Sequence, residues 1–420
     1  MLALLGGRPL YDTAAAPWPN WPQWGPKERS LLALALDSGI WSYNGPMEQK
    51  CLNFLNSFFQ GAKTQLVANG TVSLQLALEA LGIGFGDEVI VPALTWQATA
   101  AAVIDVNAVP ILVDVLPDTW CIDPQAVKEA ITPRTKAIMA VHLYGATADM
   151  DALLAIASKH KLAIIEDAAH KFGAEWNNQK LGSIGDIGSF SLQLSKVLTA
   201  GEGGIVVTKD EELLQRLDAL RNCGRRPQNL IKDATGGQYG LEGDFIQSGN
   251  YRITEFQAAV LLGQLERVEQ QQEHRSRMAN VLDELLKSNE IVQVQATSPK
   301  ETKKTYFNYA LRYNEKALGV PVERFRAALA AELGFAIDPS YQPLNDCTLY
   351  RPLTKQRHNL SSEYQKAIDP SRFDLPVSQD IYENSSITFH HKILLAEEKE
   401  MHLIAQAIEK VIDNKDLLKR

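Results

Sequence analysis

Between residues 63 and 210 the apolar positions switch repeatedly between two periods. TVSLQLALEALG (71–82) carries its apolar residues at helical spacing and ends on Gly82, which predicts a helix. DEVIVPALT (87–95) is a continuous apolar run and predicts a buried strand that leads into a loop. The alternation continues with a helix over 96–108, a strand over 109–115, a short helix over 124–132 and a strand over 136–145. A helix over 150–161 and a strand over 162–170, ending in charged residues, complete the series. GSFSLQ (188–193) and GGIVVTKD (203–210) predict two more strands with only a short, direct connection between them. Continuous apolar strands alternating with helices define an α/β domain on a mostly parallel sheet flanked by helices, and the last strand pair makes the sheet mixed.

Past Asp210 the pattern turns helical. Residues 253–288 form one long amphipathic stretch, suited to connect a second domain. KKTYFNYALRY (303–313), VERFRAALAAELG (322–334) and a last helix from Glu397 to Asp413 predict a smaller α+β C-terminal domain. The expected division is residues 1–270 and 271–420. The first forty residues, rich in Pro and Trp, are expected to wrap another surface, and the stretch from Tyr341 to Ser386 is loop-rich.

Composition excludes several classes. The 420 residues are 45% apolar and 22% charged, ordinary for a globular chain and wrong for a disordered one. The formal charge is −8 with no dense run of Lys or Arg, so no nucleic-acid partner is expected. No apolar run reaches the roughly 18 residues of a membrane span. Cys51, Cys121, Cys223 and Cys347 are scattered, without zinc spacing, so no metal site is expected. The opening MLALLGGRPLYD lacks the pattern of a secretory signal, and a cytoplasmic location is expected.

In open α/β sheets ligands bind beyond the carboxyl ends of the strands. The residues just past those ends are therefore the candidates. Trp96 follows one strand, Asp167 and His170 another, and Ser195 and Lys196 a third, while Asn69, Gly70 and Thr71 open the first helix. A helix start with Gly suits a phosphate, through free backbone N–H groups and close backbone approach. Trp96 offers a flat face for a heteroaromatic ring. Asp167 can hold a proton on a pyridine nitrogen, and Lys196 can form a Schiff base and shuttle a proton. A dinucleotide site is disfavoured: GIGFGDE (82–88) follows a helix and precedes a strand, and GSIGDIGSF (182–190) enters a strand, the reverse of the required order.

SFSLQLSKVLTAGEGG (189–204) resembles the cofactor-lysine motif of the DegT-type sugar aminotransferases, which are fold type I pyridoxal-phosphate enzymes. GPMEQKCLNFLNSFFQGAKTQLVANGTVSLQLAL (45–78), GDEVIVPALTWQATAAAV (86–103), AIMAVHLYGATADMDAL (137–153), EDAAHKFGAEWNNQKLGSIGDIGSFS (166–191) and GNYRITEFQAAV (249–260) are similar to blocks of that family in the same order. The resemblance implies a fold type I transferase and pyridoxal 5'-phosphate as cofactor. It implies that Lys196 binds the cofactor as a Schiff base, Asp167 pairs with its ring nitrogen and Trp96 stacks on the ring. Gly70, Thr71 and Ser191 are implied to bind the phosphate, and His170 to sit near the ring hydroxyl, where many members carry Gln. Asn250 is implied to reach the phosphate of a neighbouring subunit, which implies a homodimer with shared active sites. SFSLQLSK and its Gln193 are most similar to members that aminate keto-cyclitols, in which Tyr341 and His390 or His391 fall where substrate is contacted. The implied reaction is a ping-pong transfer from L-glutamine or L-glutamate to a keto-cyclitol or keto-sugar. A nucleotide-linked keto-sugar is the alternative acceptor, with Arg225, Arg226 and Lys232 as candidate diphosphate ligands. An alternative of another class is a regulatory protein that binds the cofactor without catalysis. Related sugar dehydratases replace the Schiff-base lysine, typically with His, which Lys196 argues against.

Overall fold

The computed structural model describes residues 1–14, 17–225 and 246–419. Its main sheet has seven strands: β1 (Lys63–Val67), β2 (Glu88–Pro92), β3 (Val109–Val113), β4 (Thr135–Val141), β5 (Ala163–Asp167), β8 (Ile187–Ser191) and β9 (Gly204–Thr208), with the two-residue strands β6 (Glu175–Trp176) and β7 (Gln179–Lys180) forming a small hairpin apart from it. The order across the sheet is β1-β9-β8-β5-β4-β2-β3. β3, β2, β4, β5 and β8 run parallel, and β9 alone is reversed, antiparallel to both β8 and β1. This is the mixed, mostly parallel sheet expected from the apolar runs, with the expected direct step between the last two strands. β1 is an edge strand with a half-polar sequence, KTQLV, and its period does not announce it.

The helices are α1 (Pro26–Asp37), α2 (Pro46–Phe58), α3 (Gly70–Ala80), α4 (Ala98–Asp105), α5 (Pro124–Ala130), α6 (Met150–His160), α7 (Glu211–Arg221) and α8 (Glu255–Leu286), followed by shorter ones. One core cluster joins α3 and α4 to one face of the sheet through Leu74, Leu78, Val103, Val89 and Ile165. Another gathers Ile90, Ile138, Leu153 and Ile156 on the opposite face. Each such buried aliphatic side chain contributes about 1.5–3 kcal/mol by leaving water. The middle strands are buried on both faces, which is why they read as unbroken apolar runs.

α8 carries a capping box, Thr254 with Gln257, at its start. Its first turns pack Ala258, Leu261 and Leu265 with Phe172 and Phe190, whereas Met278, Ala279, Leu282 and Leu286 join a separate core. Residue 270 falls inside this helix. The separate core covers a three-stranded antiparallel sheet of β10 (Val292–Val294), β12 (Asn308–Tyr313) and β13 (Ser386–His390), with helices Val322–Leu333 and Glu398–Asp413 against it. Leu2, Tyr11 and Trp18 from the N-terminal segment also enter it. The stretch over 303–313 is divided between two sheets. β11 (Glu301–Lys303) pairs with the β6 hairpin, β12 joins the small sheet, and the link between them, with Phe307, turns toward the main sheet. The stretch from Tyr341 to Ser386 holds two short helices, Ser362–Ile368 and Pro376–Asp380, pinned to the main sheet's loops by Leu344 N to Ala93 O at 2.9 Å and Val377 N to Asp114 Oδ2 at 2.8 Å.

Candidate active site

A cavity of about 600 Å³ opens at the carboxyl ends of β2, β4, β5 and β8. It is lined by Asn69, Gly70, Thr71, Trp96, Asp167, His170, Ser191, Ser195, Lys196 and Tyr341 together, so the structure gathers these candidate residues in one place.

The floor nearest β1 is the start of α3. Asn69 caps it, its Oδ1 accepting from Val72 N at 2.9 Å, which leaves the N–H groups of Gly70 and Thr71 without an intrahelical acceptor. A Cβ on residue 70 would stand 2.6 Å from the Ser191 Cβ, so only glycine lets the helix end approach the end of β8. This arrangement can take up an anion between backbone N–H groups and the Ser191 hydroxyl.

Asp167 ends β5 and is 7% exposed. Its Oδ2 accepts from Thr99 Oγ1 at 2.9 Å and its Oδ1 from Ala169 N at 3.3 Å. Burial raises its pKa, while those two hydrogen bonds and the charge of Lys196 act in the other direction. A carboxylate so placed gains from a cationic N–H partner. Lys196 follows β8, and burial lowers its pKa to about 8, opposed by Asp167. About a tenth of its amine is therefore free of its proton at pH 7, far more than for an ordinary lysine, as a nucleophilic amine requires. Its Nζ lies 4.1 Å from the centre of the Phe307 ring.

Trp96 is 46% exposed, with its ring 5.7 Å from that of Tyr341. His170 is buried between rings: it stacks on Phe307 at 3.9 Å, its Nδ1 accepts from Tyr144 N at 3.3 Å, and its Nε2 meets Tyr341 Oη at 3.2 Å. Burial, then the charges of Lys196 and Lys171, push its pKa well below the ordinary range, so the ring is neutral. Lys171, the next residue, is fully buried and forms an ion pair with Glu301. It also donates to Gly145 O at 2.9 Å and Thr305 O at 3.1 Å, which ties the segment carrying Phe307 to the main sheet.

Three other candidates stand outside the cavity wall. His391 is buried, and its Nε2 donates to Ser195 O at 3.0 Å, so it supports the turn before Lys196. His390 packs against His391 at 4.3 Å, and its Nδ1 accepts from Lys392 N at 3.2 Å. Asn250 is exposed, and its Oδ1 accepts from Arg252 N at 3.3 Å. Arg225 is also absent from the wall, and Arg226 and Lys232 lie outside the described residues. Thr99 and Phe307 were not foreseen. Thr99 stands in the first turn of α4, three residues after Trp96. Phe307 arrives from the small sheet, and nothing local in its sequence marks it.

Comparison with known proteins agrees with this geometry. Residues 22–392 match the DegT/DnrJ/EryC1/StrS aminotransferase family. The L-glutamine:2-deoxy-scyllo-inosose aminotransferase of Streptoalloteichus tenebrarius is 45% identical over 98% of this chain and 97% of its own. The L-glutamine:scyllo-inosose aminotransferase of Streptomyces griseus is 44% identical over 98% of both chains. Among solved structures, 3-amino-5-hydroxybenzoic acid synthase superposes with a TM-score of 0.81 at 31% identity, covering 94% of this chain and 99% of the other. The chain belongs to the DegT/DnrJ/EryC1/StrS family and is a pyridoxal-phosphate-dependent aminotransferase.

Proposed function

We propose that this enzyme transfers the amino group of L-glutamine to a keto-cyclitol, a six-membered carbon ring bearing hydroxyls and one carbonyl. The named acceptors of the two relatives support this reading. The observation that carries it here is the charge of the wall. Lys196 is the one lysine or arginine among its described residues, alongside the acids Asp105, Asp167 and Glu202. The nearby Lys355 and Arg357 pair with Asp105, at 2.9 and 3.2 Å. A nucleotide-linked sugar brings a diphosphate that calls for arginines or lysines. An uncharged polyol calls for neutral donors and acceptors and an aromatic face, which Gln75, Gln193, Ser195 and Trp96 offer.

The residues present fit pyridoxal phosphate: a glycine-cradled helix start, a buried carboxylate short of a cation, an exposed indole face and an amine of lowered pKa. When bound, that group supplies an electron sink conjugated to the carbon that loses its proton. We assign Gly70, Thr71 and Ser191 to its phosphate and Trp96 to its ring face. Asp167 holds a proton on its ring nitrogen and so keeps the sink strong. Lys196 holds it covalently and, once displaced by the amino donor, carries the donor's α-proton on Nζ. The Phe307 ring, beside Nζ, keeps water from that amine. His170, neutral and fixed by Tyr144, orients Tyr341 at the cavity mouth. Asn250, exposed and outside its own cavity, is assigned to the phosphate of a second copy, which makes the working unit a homodimer. Reduced, unpaired cysteines accord with a cytoplasmic enzyme.

The test is direct. Holoenzyme with L-glutamine and either scyllo-inosose or 2-deoxy-scyllo-inosose is expected to yield the aminocyclitol, detected by mass spectrometry. Turnover of a nucleotide-linked keto-sugar, with no product from either inosose, would overturn the reading. The donor is checked separately: L-glutamine is expected to bleach the visible absorption band of the holoenzyme without any acceptor present.

A further inference from the structure

Ser191 to Lys196 forms a tight turn in which Lys196 N donates to Gln193 O at 2.9 Å and Gln193 N to Ser191 Oγ at 3.3 Å. Inside it, the Gln193 side chain folds back. Its Oε1 accepts from Ser195 N at 2.8 Å and from Ser195 Oγ at 2.7 Å. A backbone N–H can only donate, so the amide atom it meets is the oxygen, and the amide orientation is settled by chemistry. The nitrogen Nε2 is left with two hydrogens and no partner among the described residues, on a residue that lines the cavity.

The neighbouring wall is rich in acceptors. Ser195 Oγ has committed its proton to Gln193 and can only accept. Gln75 has committed one Nε2 hydrogen to Glu79 at 2.8 Å, leaving its oxygen and one hydrogen. Glu202 is an acceptor in its ionised form. Hydroxyl hydrogens of a polyol have several places to go, whereas its oxygen lone pairs need a donor, and Gln193 Nε2 supplies one.

We propose that Gln193 is a specificity-determining residue whose Nε2 donates to a hydroxyl or carbonyl oxygen of the amino acceptor. The inference rests on the keto-cyclitol reading above. A neutral amide suits an uncharged polyol oxygen, while the carboxylate of an amino-acid donor is drawn to a cation. Gln193 thus does two things with two ends: Oε1 holds the turn that presents Lys196, and Nε2 reads the substrate.

Gln193→Glu separates the two ends, because a carboxylate still accepts from Ser195 but has nothing to donate. Each half-reaction is measured by itself in the holoenzyme. With Gln193→Glu, kcat/KM for scyllo-inosose is expected to fall about 10- to 100-fold, mainly through KM. The rate of bleaching by L-glutamine is expected to fall by a clearly smaller factor. The inhibition constant of scyllo-inositol, which keeps the hydroxyls and lacks the carbonyl, is expected to rise in parallel. Gln193→Ala, which also releases Ser195, is expected to slow both half-reactions. Acceptor kcat/KM within twofold of wild type in Gln193→Glu overturns the inference and leaves the keto-cyclitol reading standing. An equal loss in both half-reactions of Gln193→Glu also overturns it, since the residue then serves only the turn. If wild-type enzyme aminates neither inosose, the reading fails first and the inference falls with it.

Discussion

His170 Nε2 and Tyr341 Oη lie 3.2 Å apart, and the direction of the bond between them is set by a third group. The Tyr144 backbone N–H points at His170 Nδ1 from 3.3 Å and can only donate. In a neutral ring Nδ1 is then the bare nitrogen and Nε2 carries the proton. That proton goes to Tyr341 Oη, so the tyrosine's own hydrogen is directed elsewhere and is free for a ligand in the cavity. Burial and the charge of Asp167 raise the Tyr341 pKa, so the hydroxyl keeps that hydrogen.

The first prediction concerns this pair. Nitrogen-15 NMR of His170 is expected to show a neutral ring protonated on Nε2 from pH 8 down to 5, with no titration near 6.5. Its folded pKa lies well below the unfolded value, so the neutral ring's contribution to stability is present above about 6.5 and is lost as pH falls below it. Tyr341→Phe is expected to cost about 10-fold or more in acceptor kcat/KM with little change in folding midpoint. A His170 ring that titrates near 6.5, or an acceptor rate unaffected by Tyr341→Phe, would sink this account.

Asp167 provides a second. It is a buried carboxylate whose hydrogen bonds come from the neutral donors Thr99 and Ala169. Asp167→Ala is expected to retain the cofactor through the α3 start and Lys196 while slowing the donor half-reaction by about 100-fold or more, the scale of losing an aimed charge in a dry site. Retained colour with a near-normal bleaching rate would refute its role on the ring nitrogen. Thr99→Val removes one of the bonds that lower the Asp167 pKa, and is expected to give a smaller loss in the same direction.

How much of this was legible in the chain is clearest from where each residue sits. Trp96, Asp167 and Lys196 each follow an apolar strand, and parallel strands put their carboxyl ends on one rim, so their meeting could be read from periodicity and topology alone. Gly70 and Thr71 open a helix with a visible cap, Asn69. Phe307 and His391 could not be read in the same way. Phe307 reaches His170 only because β11 and β12 join different sheets, a break that a run of β-prone residues over 303–313 conceals. His391 holds the Ser195 carbonyl, a pairing across 196 positions that no local pattern carries. The direction of hydrogen bonds at Gln193 and His170 is likewise a property of three-dimensional neighbours.

A third prediction follows from the same non-local link. Lys171 and Glu301 form a fully buried ion pair between the residue after His170 and the segment leading to Phe307. Removing one partner strands the other charge, at a cost of about 3–5 kcal/mol. Glu301→Gln is therefore expected to lower the unfolding free energy by that order in urea titration. It is also expected to loosen the Phe307 stack on His170, visible as a His170 NMR resonance shift. A change within about 0.5 kcal/mol would show that the pair is not what joins the two regions.

Gly70→Ala tests the helix start. The added methyl would meet the Ser191 Cβ at 2.6 Å, and the next contacts include the Ser191 Cα, so part of the strain falls on backbone. Overpacking of this kind costs about 1–3 kcal/mol and pushes α3 away from β8. Cofactor-free protein is expected to show that loss in its folding stability, and equilibrium dialysis is expected to show weaker binding of pyridoxal phosphate. Unchanged affinity in Gly70→Ala would move the phosphate away from this helix.

Lys196 carries the last prediction, which concerns stability and needs no turnover. Burial lowers its pKa from 10.5 to about 8 in the folded chain. Between those values the unfolded chain binds the proton and the folded chain does not, so stability rises with pH across that window. Below about pH 8 the buried cation exerts its full cost, about 3 kcal/mol for the whole displacement. Lys196→Met replaces it with an apolar side chain of similar length. In cofactor-free protein at pH 7 the variant is expected to be more stable than wild type by about 3 kcal/mol, a displacement that already includes the attraction to Asp167. The advantage is expected to shrink as pH rises past 8 and to vanish above about 10.5, where the wild-type amine is neutral in both states. Unfolding midpoints of the two proteins measured from pH 7 to 10.5 decide the matter. A gap that does not close with pH would mean that the variant gains from packing and that the site does not lower the pKa of the amine. A variant less stable than wild type at pH 7 would mean that Asp167 and the Phe307 ring outweigh burial, and that the site does not lower the Lys196 pKa.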